Sequence, residues 1–426
     1  MNKEKKRVFI TGLSALTACG ENLDKTWNSV RTGETGIAEI AQWDLSAWPA
    51  RLGGELKNFQ PARALPDRKL MKVISRHDAM GIHAAVQAIG HSGMIDYRDS
   101  LSCMEEFNEQ TAVFVGSPGN KYFQQYDFLP LLAKSQGNMK EFAAQLFNEV
   151  HPMWLLRILP NNVLAYSGIT YGFKGPNHNI TNHAVGGTQA FIEAYHAILQ
   201  GQADRAVVVA YDVGVEPQAL FYYNQLGVLS ERHLKPFDKA HDGTILAEGA
   251  AALILESEES AKARGAQCLA EVAGGMASTE AAGLFSLEAE GESLAQLLGR
   301  TLASCGLSAG DMDLIVAHGN GNAKSDDSEA LAIQQLLQGA PVPVTAYKWA
   351  MGHTLTASGL LDTVLTVNAI QENCIPGIAN LAEPALHCAE LNLSADSREF
   401  ASNRSALIIN RGFASMNACV VIKACD

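Results

Sequence analysis

The chain is written in two hydrophobic rhythms. Residues 7–16, 111–116, 205–210 and 250–256 are nearly continuous apolar runs. Such runs predict strands buried on both faces, since a half-exposed strand would alternate. Between them, apolar residues recur at helical spacing, as at Met80, Ile82, Ala85, Val86 and Ile89 in a helix expected over residues 75–92. Residues 24–32, 139–158 and 188–199 also read as helices, with Pro160 ending the second of these. The second part of the chain repeats the style. It offers strands at 268–273 and 314–317, helices at 292–305, 327–337 and 354–370, and a closing strand pair at 406–410 and 418–423. Strands alternating with helices imply an α/β fold with sheets covered on both faces. Residues 179–187, Asn-Ile-Thr-Asn-His-Ala-Val-Gly-Gly, read as a short strand, a sharp turn and a helix start. That places Ala184 at a helix N-terminus, where a nucleophile would be activated, but alanine has no atom that attacks a carbonyl.

Composition narrows the class. With 426 residues, 47% of them hydrophobic, the chain is too long for one small core. No Ser/Gly- or Pro-rich linker divides it, so two intimately packed halves are expected. The net charge of −13 argues against a nucleic-acid surface. The eight cysteines form no CxxC pair, so neither a zinc site nor a dithiol motif is indicated, and scattered buried thiols fit a reducing cytoplasm. The basic start, Lys3 to Arg7, is followed by too short an apolar run for a signal peptide, and no run is long enough to span a bilayer.

Several blocks carry a resemblance. Arg7-Val8-Phe9-Ile10-Thr11-Gly12-Leu13 opens the chain. Lys235-Pro236-Phe237-Asp238, Asp242-Gly243 and Glu248-Gly249-Ala250 lie in the centre. His318-Gly319, Lys348 with Gly352-His353, and Gly412-Phe413 with Asn417 follow in order. Together they resemble the β-ketoacyl-acyl-carrier-protein synthases over nearly the whole chain. The resemblance implies a thiolase-like fold, a five-layered α-β-α-β-α arrangement of two similar halves, here residues 1–258 and 259–426. It also implies a cysteine that takes the acyl chain, and two histidines that assist decarboxylation of malonyl-carrier and hold the enolate oxygen. On this pattern His318 and His353 are the histidines and Lys348 orders them. Asp326 and Glu329 are the acidic residues after the first histidine, assigned with the gating Phe413 to the substrate side. Ala184 falls on the cysteine position. No cofactor or metal is implied.

The sequence departs from that pattern in three places. Asn182-His183 and Val185-Gly186 flank Ala184 in place of small residues, so the vacancy looks native rather than a single replacement. His318-Gly319-Asn320-Gly321-Asn322 replaces His-Gly-Thr-x-Thr, which weakens a decarboxylase reading. Ala414-Ser415-Met416 replaces Gly-Gly-Thr, which predicts a stiffer gate and puts its oxyanion-binding role in doubt. Other features read as structural. Cys19, in a mimic of the nucleophile motif, is expected to be an inert thiol. His178 and His183 would face opposite sides of an extended segment and so make no metal pair. Residues 319–325 lack the glycine before lysine that a phosphate loop needs.

The family resemblance implies three functions to weigh. One is a chain-length factor, a subunit without the cysteine that pairs with a Cys-containing ketosynthase as heterodimer or heterotetramer. It would shape the acyl tunnel in a type II polyketide or fatty-acid-like pathway and work with an acyl carrier protein. An aryl polyene setting is preferred, because the aromatic-polyketide factors carry glutamine where Ala184 stands. Tyr122, Phe123, Tyr126 and Phe128 fall near the family's dimer interface and could line the tunnel, or simply pack. The second is a malonyl-carrier decarboxylase using His318 and His353, and the third a synthase with a divergent site. The basic stretch over residues 68–76 would suit an acidic carrier protein, or be a solvated helix face.

Overall fold

The structure is a computed structural model that describes residues 6–119, 125–401 and 403–425. Tyr122 and Phe123 lie outside the described residues, as does the side chain of Tyr126. The strands are β1 (Val8–Leu16), β2 (Ile37–Glu39), β3 (Leu52–Gly54), β4 (Thr111–Gly116), β5 (Asn177–Ile180), β6 (Arg205–Val213), β7 (Glu248–Ser257), β8 (Ala270–Thr279), β9 (Leu314–Val316), β10 (Val344–Thr345), β11 (Ser405–Gly412) and β12 (Met416–Lys423). Ten of them form one sheet in the order β10-β9-β11-β12-β8-β1-β7-β6-β4-β5, while β2 and β3 pair separately. Every residue of β1, β6 and β7 is buried, as their unbroken apolar runs require. Each fully buried Val, Leu or Ile there contributes about 1.5–3 kcal/mol, so these strands dominate the core.

The sheet repeats itself. Read outward from the seam, β1-β7-β6-β4-β5 has the same order and the same parallel and antiparallel pairings as β8-β12-β11-β9-β10. The halves join through a short antiparallel contact, Val8–Ile10 against Ala270–Val272. The Gly186–Leu199 helix follows β5, and the Ser358–Glu372 helix follows β10. Both touch strands of both halves and each other, so they form a central layer. The Arg76–Ser92 helix covers one outer face and the Glu292–Ser304 helix the other. This is the five-layered α-β-α-β-α arrangement expected.

Local chemistry sets the helix ends. Ser75 and Asp78 make a reciprocal capping box at the start of Arg76–Ser92, and Gly93, at φ 66°, closes it in the left-handed region. The helix expected over residues 139–158 is two, Met139–Glu149 and Trp154–Ile158. Val150 is extended and Pro152 follows His151, which pushes the chain out of helical geometry. The helix expected from residue 327 starts earlier, at Ala323, because the Asn322 side chain caps it.

The thiols need correcting too. Cys268 and Cys425 are joined as a disulfide. They lie just beyond the start of β8 and the end of β12, which the pairing of Glu271 with Lys423 brings together. Of the six free cysteines, Cys388 and Cys419 are buried, whereas Cys103 is exposed. Among the described residues, no helix is long and apolar enough to cross a membrane.

Candidate active site

The turn that carries Ala184 lies between β5 and the Gly186–Leu199 helix. Gly116 at the end of β4 lets the helix start press onto the sheet; a Cβ there would stand 2.6 Å from Gly187 Cα. His183 takes a left-handed φ of 46°, which makes the sharp turn. Thr356 holds it from the far side, donating its hydroxyl to the His183 carbonyl at 3.1 Å, while its own N–H is accepted by buried Asp212 at 3.1 Å. Ala184 is fully buried. The turn has the shape the sequence predicts, with no nucleophile at its tip.

The two histidines do meet. The rings of His318 and His353 stand edge to face, with centroids 5.1 Å apart. His318 Nδ1 accepts from the Arg411 N–H at 3.4 Å, and Nε2 lies 3.3 Å from Asn320 Nδ2. His353 is fixed by its backbone, which donates to the Ile245 carbonyl at 2.7 Å and accepts from Ala247 N–H at 3.0 Å. Burial, with the nearby Lys348 charge, holds both imidazoles well below their ordinary pKa, so both are neutral. Lys348 is itself buried and donates to Asp362, on the Ser358–Glu372 helix, at 2.7 Å.

Asp326 and Glu329 share one face of the Ala323–Leu337 helix, three residues apart. Glu329 accepts the His318 and Gly319 N–H groups at 2.7 and 2.9 Å. Asp326 accepts from the Phe237 and Gly321 N–H groups and lies 3.3 Å from His241 Nδ1. They were expected at the substrate or gate, but neither lines the cavity. Each clamps loops: Glu329 holds the His318 turn, and Asp326 ties Gly321 to the 237–241 segment. Burial pushes the Glu329 carboxyl up to about 7, against the pull of Arg411 and its two N–H donors.

Phe413 lines the cavity within an aromatic cluster. Its ring stacks on His183 at 4.4 Å and on Tyr223 at 5.3 Å, and meets Phe285 edge-on at 5.4 Å. Ala414 and Ser415 follow at φ 61° and 56°, the left-handed region where glycine costs nothing. Hydrogen bonds hold them there. Ala414 N–H donates to Leu284, and the Ser415 hydroxyl reaches the Gly283 and Ser286 carbonyls. These hydrogen bonds pin the loop that follows Phe413.

A cavity of about 920 Å³ opens between these groups, lined by His183, Tyr223, Phe285, His318, His353 and Phe413, among others. Sequence reasoning missed His183, Tyr223 and Arg411. The bulk of His183 beside the vacancy was visible, but its partner Phe413 lies 230 positions away. His178, by contrast, sits on β5 against Phe114, with ring centroids 5.3 Å apart. Burial raises the Cys19 thiol to about 11, as an inert thiol requires. The basic stretch is not one face, because Arg76 is tied to the buried carboxylate of Glu248.

Comparison with known proteins settles the class. The beta-ketoacyl synthase N-terminal domain matches residues 5–261, and its C-terminal domain matches residues 269–382. The chain belongs to the β-ketoacyl synthase family. This synthase-family chain is 30% identical, over 91% of each sequence, to 3-oxoacyl-(acyl-carrier-protein) synthase 2 of Synechocystis sp.. In structure it is similar to the ishigamide ketosynthase/chain length factor, with a TM-score of 0.87 at 24% identity, covering 99% of this chain and all of that one. It also resembles a type II polyketide ketosynthase in complex with its acyl-carrier protein, with a TM-score of 0.83 at 21% identity and coverage of 99% and 100%. At these identities the structural matches show the fold, and the thiolase-like ketosynthase fold is what they show.

Proposed function

We infer that this chain is a non-catalytic chain-length factor, the partner of a Cys-bearing ketosynthase acting with an acyl carrier protein. The observation that carries the reading is Ala184, a buried methyl at the tip of an otherwise intact elbow. A ketosynthase must form a thioester on itself, and nothing at this tip can do so. The surface supports a partner. β5 ends the large sheet with Asn177 and His178 exposed, leaving one edge unpaired. Nearby segments expose Leu129, Met139, Phe147, Leu155 and Ile169, with Phe147 at 87%. Large apolar side chains left in water at this density mark an interface. Phe128 packs against Trp154 and Phe142 within that region, so the aromatic segment would shape the partner surface as a unit. Within this class we favour an aryl polyene setting, on the identity of Ala184.

The test is co-expression with a Cys-containing synthase of similar length, followed by native mass spectrometry and product analysis. A stable hetero-oligomer, with the acyl label confined to the partner, is expected. An acyl group on this chain would end the reading. Phe128→Ala should shift product length in the complex with initiation unchanged.

A second reading keeps an activity. The two neutral histidines lie together in the cavity wall, and decarboxylation of malonyl-carrier needs no thiol. The lone chain incubated with malonyl-carrier would then release acetyl-carrier, and His318→Ala would abolish it.

A further inference from the structure

Two segments distant in sequence converge at the vacant elbow: the turn at His183-Ala184 and the strand end at Gly412-Phe413. The approach is close. A Cβ built on Gly412 would stand 3.4 Å from the Ala184 nitrogen and 3.2 Å from His183 Nδ1. The Phe413 N–H donates to His183 Nδ1 at 3.1 Å. An amide at this point of a condensing site is a natural donor to a thioester oxygen, because charge grows on that oxygen during attack. Here the donor is already taken. The ring that takes it is held on every side. Its Nε2–H donates to Tyr223 Oη at 2.5 Å, one face stacks on Phe413 with the Tyr223 ring beside it, and its carbonyl accepts from Thr356 and from the Gly186 N–H. His183, rather than Ala184, forms the cavity wall at this place.

We propose that His183 is a built-in occupant of the acyl-carbonyl pocket, so that this subunit is closed to thioesters by a second residue independent of the missing thiol. The ring does to the pocket what a substrate carbonyl would do: it accepts the Phe413 amide and stacks under its ring. A thioester entering would have to displace the Phe413 hydrogen bond and the Phe413 stack before meeting the elbow. Restoring sulfur alone would not restore acyl transfer. The proposal rests on the non-catalytic reading of this chain but adds to it, since a vacant elbow by itself would still bind a thioester.

The test compares Ala184→Cys with Ala184→Cys/His183→Gly in the full chain. Glycine suits the left-handed turn at position 183. The probe is the octanoyl thioester of N-acetylcysteamine, and the readout is the mass of the elbow peptide over time. In the step being read, the new thiolate attacks the thioester carbon, a carbon–sulfur bond forms, and N-acetylcysteamine leaves as a thiolate that takes up a proton. Iodoacetamide, which needs no carbonyl pocket, reports whether the thiol is reachable in each variant. Both variants should alkylate, and the double variant should acylate about a hundredfold faster, the usual worth of one oxyanion donor. Equal acylation rates would overturn the proposal, and so would a double variant that alkylates but never acylates. If either variant fails to fold, nitrogen NMR of histidine-labelled wild-type chain decides. An unprotonated Nδ1 and a protonated Nε2 on His183 are expected, and the reverse tautomer would overturn it. Acyl mass appearing on the wild-type chain would instead sink the non-catalytic reading and leave this comparison standing.

Discussion

The cavity has two unlike walls. On one side the His318–His353 pair and the Lys348–Asp362 ion pair keep the polar machinery of a condensing enzyme, buried and closely bonded. On the other, the elbow and the loop after Phe413 hold no sulfur but an imidazole ring, three left-handed residues and a set of pinning contacts. The difference teaches what each wall is for. The histidine wall is bound into the core, so removing any of its charges exposes an unpaired partner. Among the described residues, the elbow holds no ion pair, so a methyl can stand at its tip without stranding a charge. A scaffold can therefore lose its nucleophile while its histidines persist, because the two walls are held by different forces.

The largest break in the comparison comes from Lys348. Lys348→Met strands the buried Asp362 carboxylate and should cost about 3–5 kcal/mol in urea unfolding. Lys348→Met/Asp362→Leu should recover most of it, because two apolar side chains leave nothing unpaired. A small loss in the single variant would mean that water reaches the pair and that this wall is not core.

One group at each wall, Glu329 and His183, should titrate in opposite directions. Glu329 on the histidine side has its folded pKa raised from 4.5 to about 7. Its contribution is fullest below pH 4.5 and is lost as pH rises toward 7. His183 on the elbow side has its folded pKa lowered by burial from 6.5 to about 4. Its contribution is full above 6.5 and is lost as pH falls toward 4. Each swing is worth about 2 to 3 kcal/mol. Measured by urea midpoints from pH 4.5 to 7, Glu329→Gln should make stability rise more steeply with pH, and His183→Gly should flatten it. Both variants tracking the wild-type slope would show that neither group is held as the geometry requires.

Asn322 sharpens the contrast by a smaller amount. It stands where the family pattern has a threonine, but its side chain accepts from the Ser325 N–H at 3.3 Å as a helix cap. Asn322→Ala should lose about 1 kcal/mol, and Asn322→Thr much less. Equal losses would show that the cap does not set the start of the helix.

These particulars also show what the sequence could reveal. The long apolar strands and the order of the motif blocks were legible because they are local patterns. So was the empty elbow, since one residue type excludes one reaction. The roles of Asp326 and Glu329 were not legible: an acid after a histidine looks like substrate chemistry until its backbone partners are known. The occupancy of the pocket by His183 depends on a contact spanning most of the chain, and the local spacing rules carry no trace of it. The helix break at 150–153 was missed for a simpler reason. The apolar rhythm continues through it.

The finest test concerns the gate. Ala414 sits at φ 61° with no side chain to justify the strain, and its N–H is accepted by Leu284. A left-handed alanine costs roughly 1–2 kcal/mol, and a glycine gives back part of the gain through its more mobile unfolded state. Ala414→Gly should therefore raise stability by about 0.5–1 kcal/mol in urea unfolding. It should leave the His318 wall unchanged, because the hydrogen bonds of Ala414 run to Leu284 and Thr279. If the hydrogen bonds to Leu284, Gly283 and Ser286 are what pin the gate, hydrogen exchange at Phe413 should stay slow in this variant. Faster exchange would mean that backbone strain, rather than those contacts, keeps the gate closed over His183.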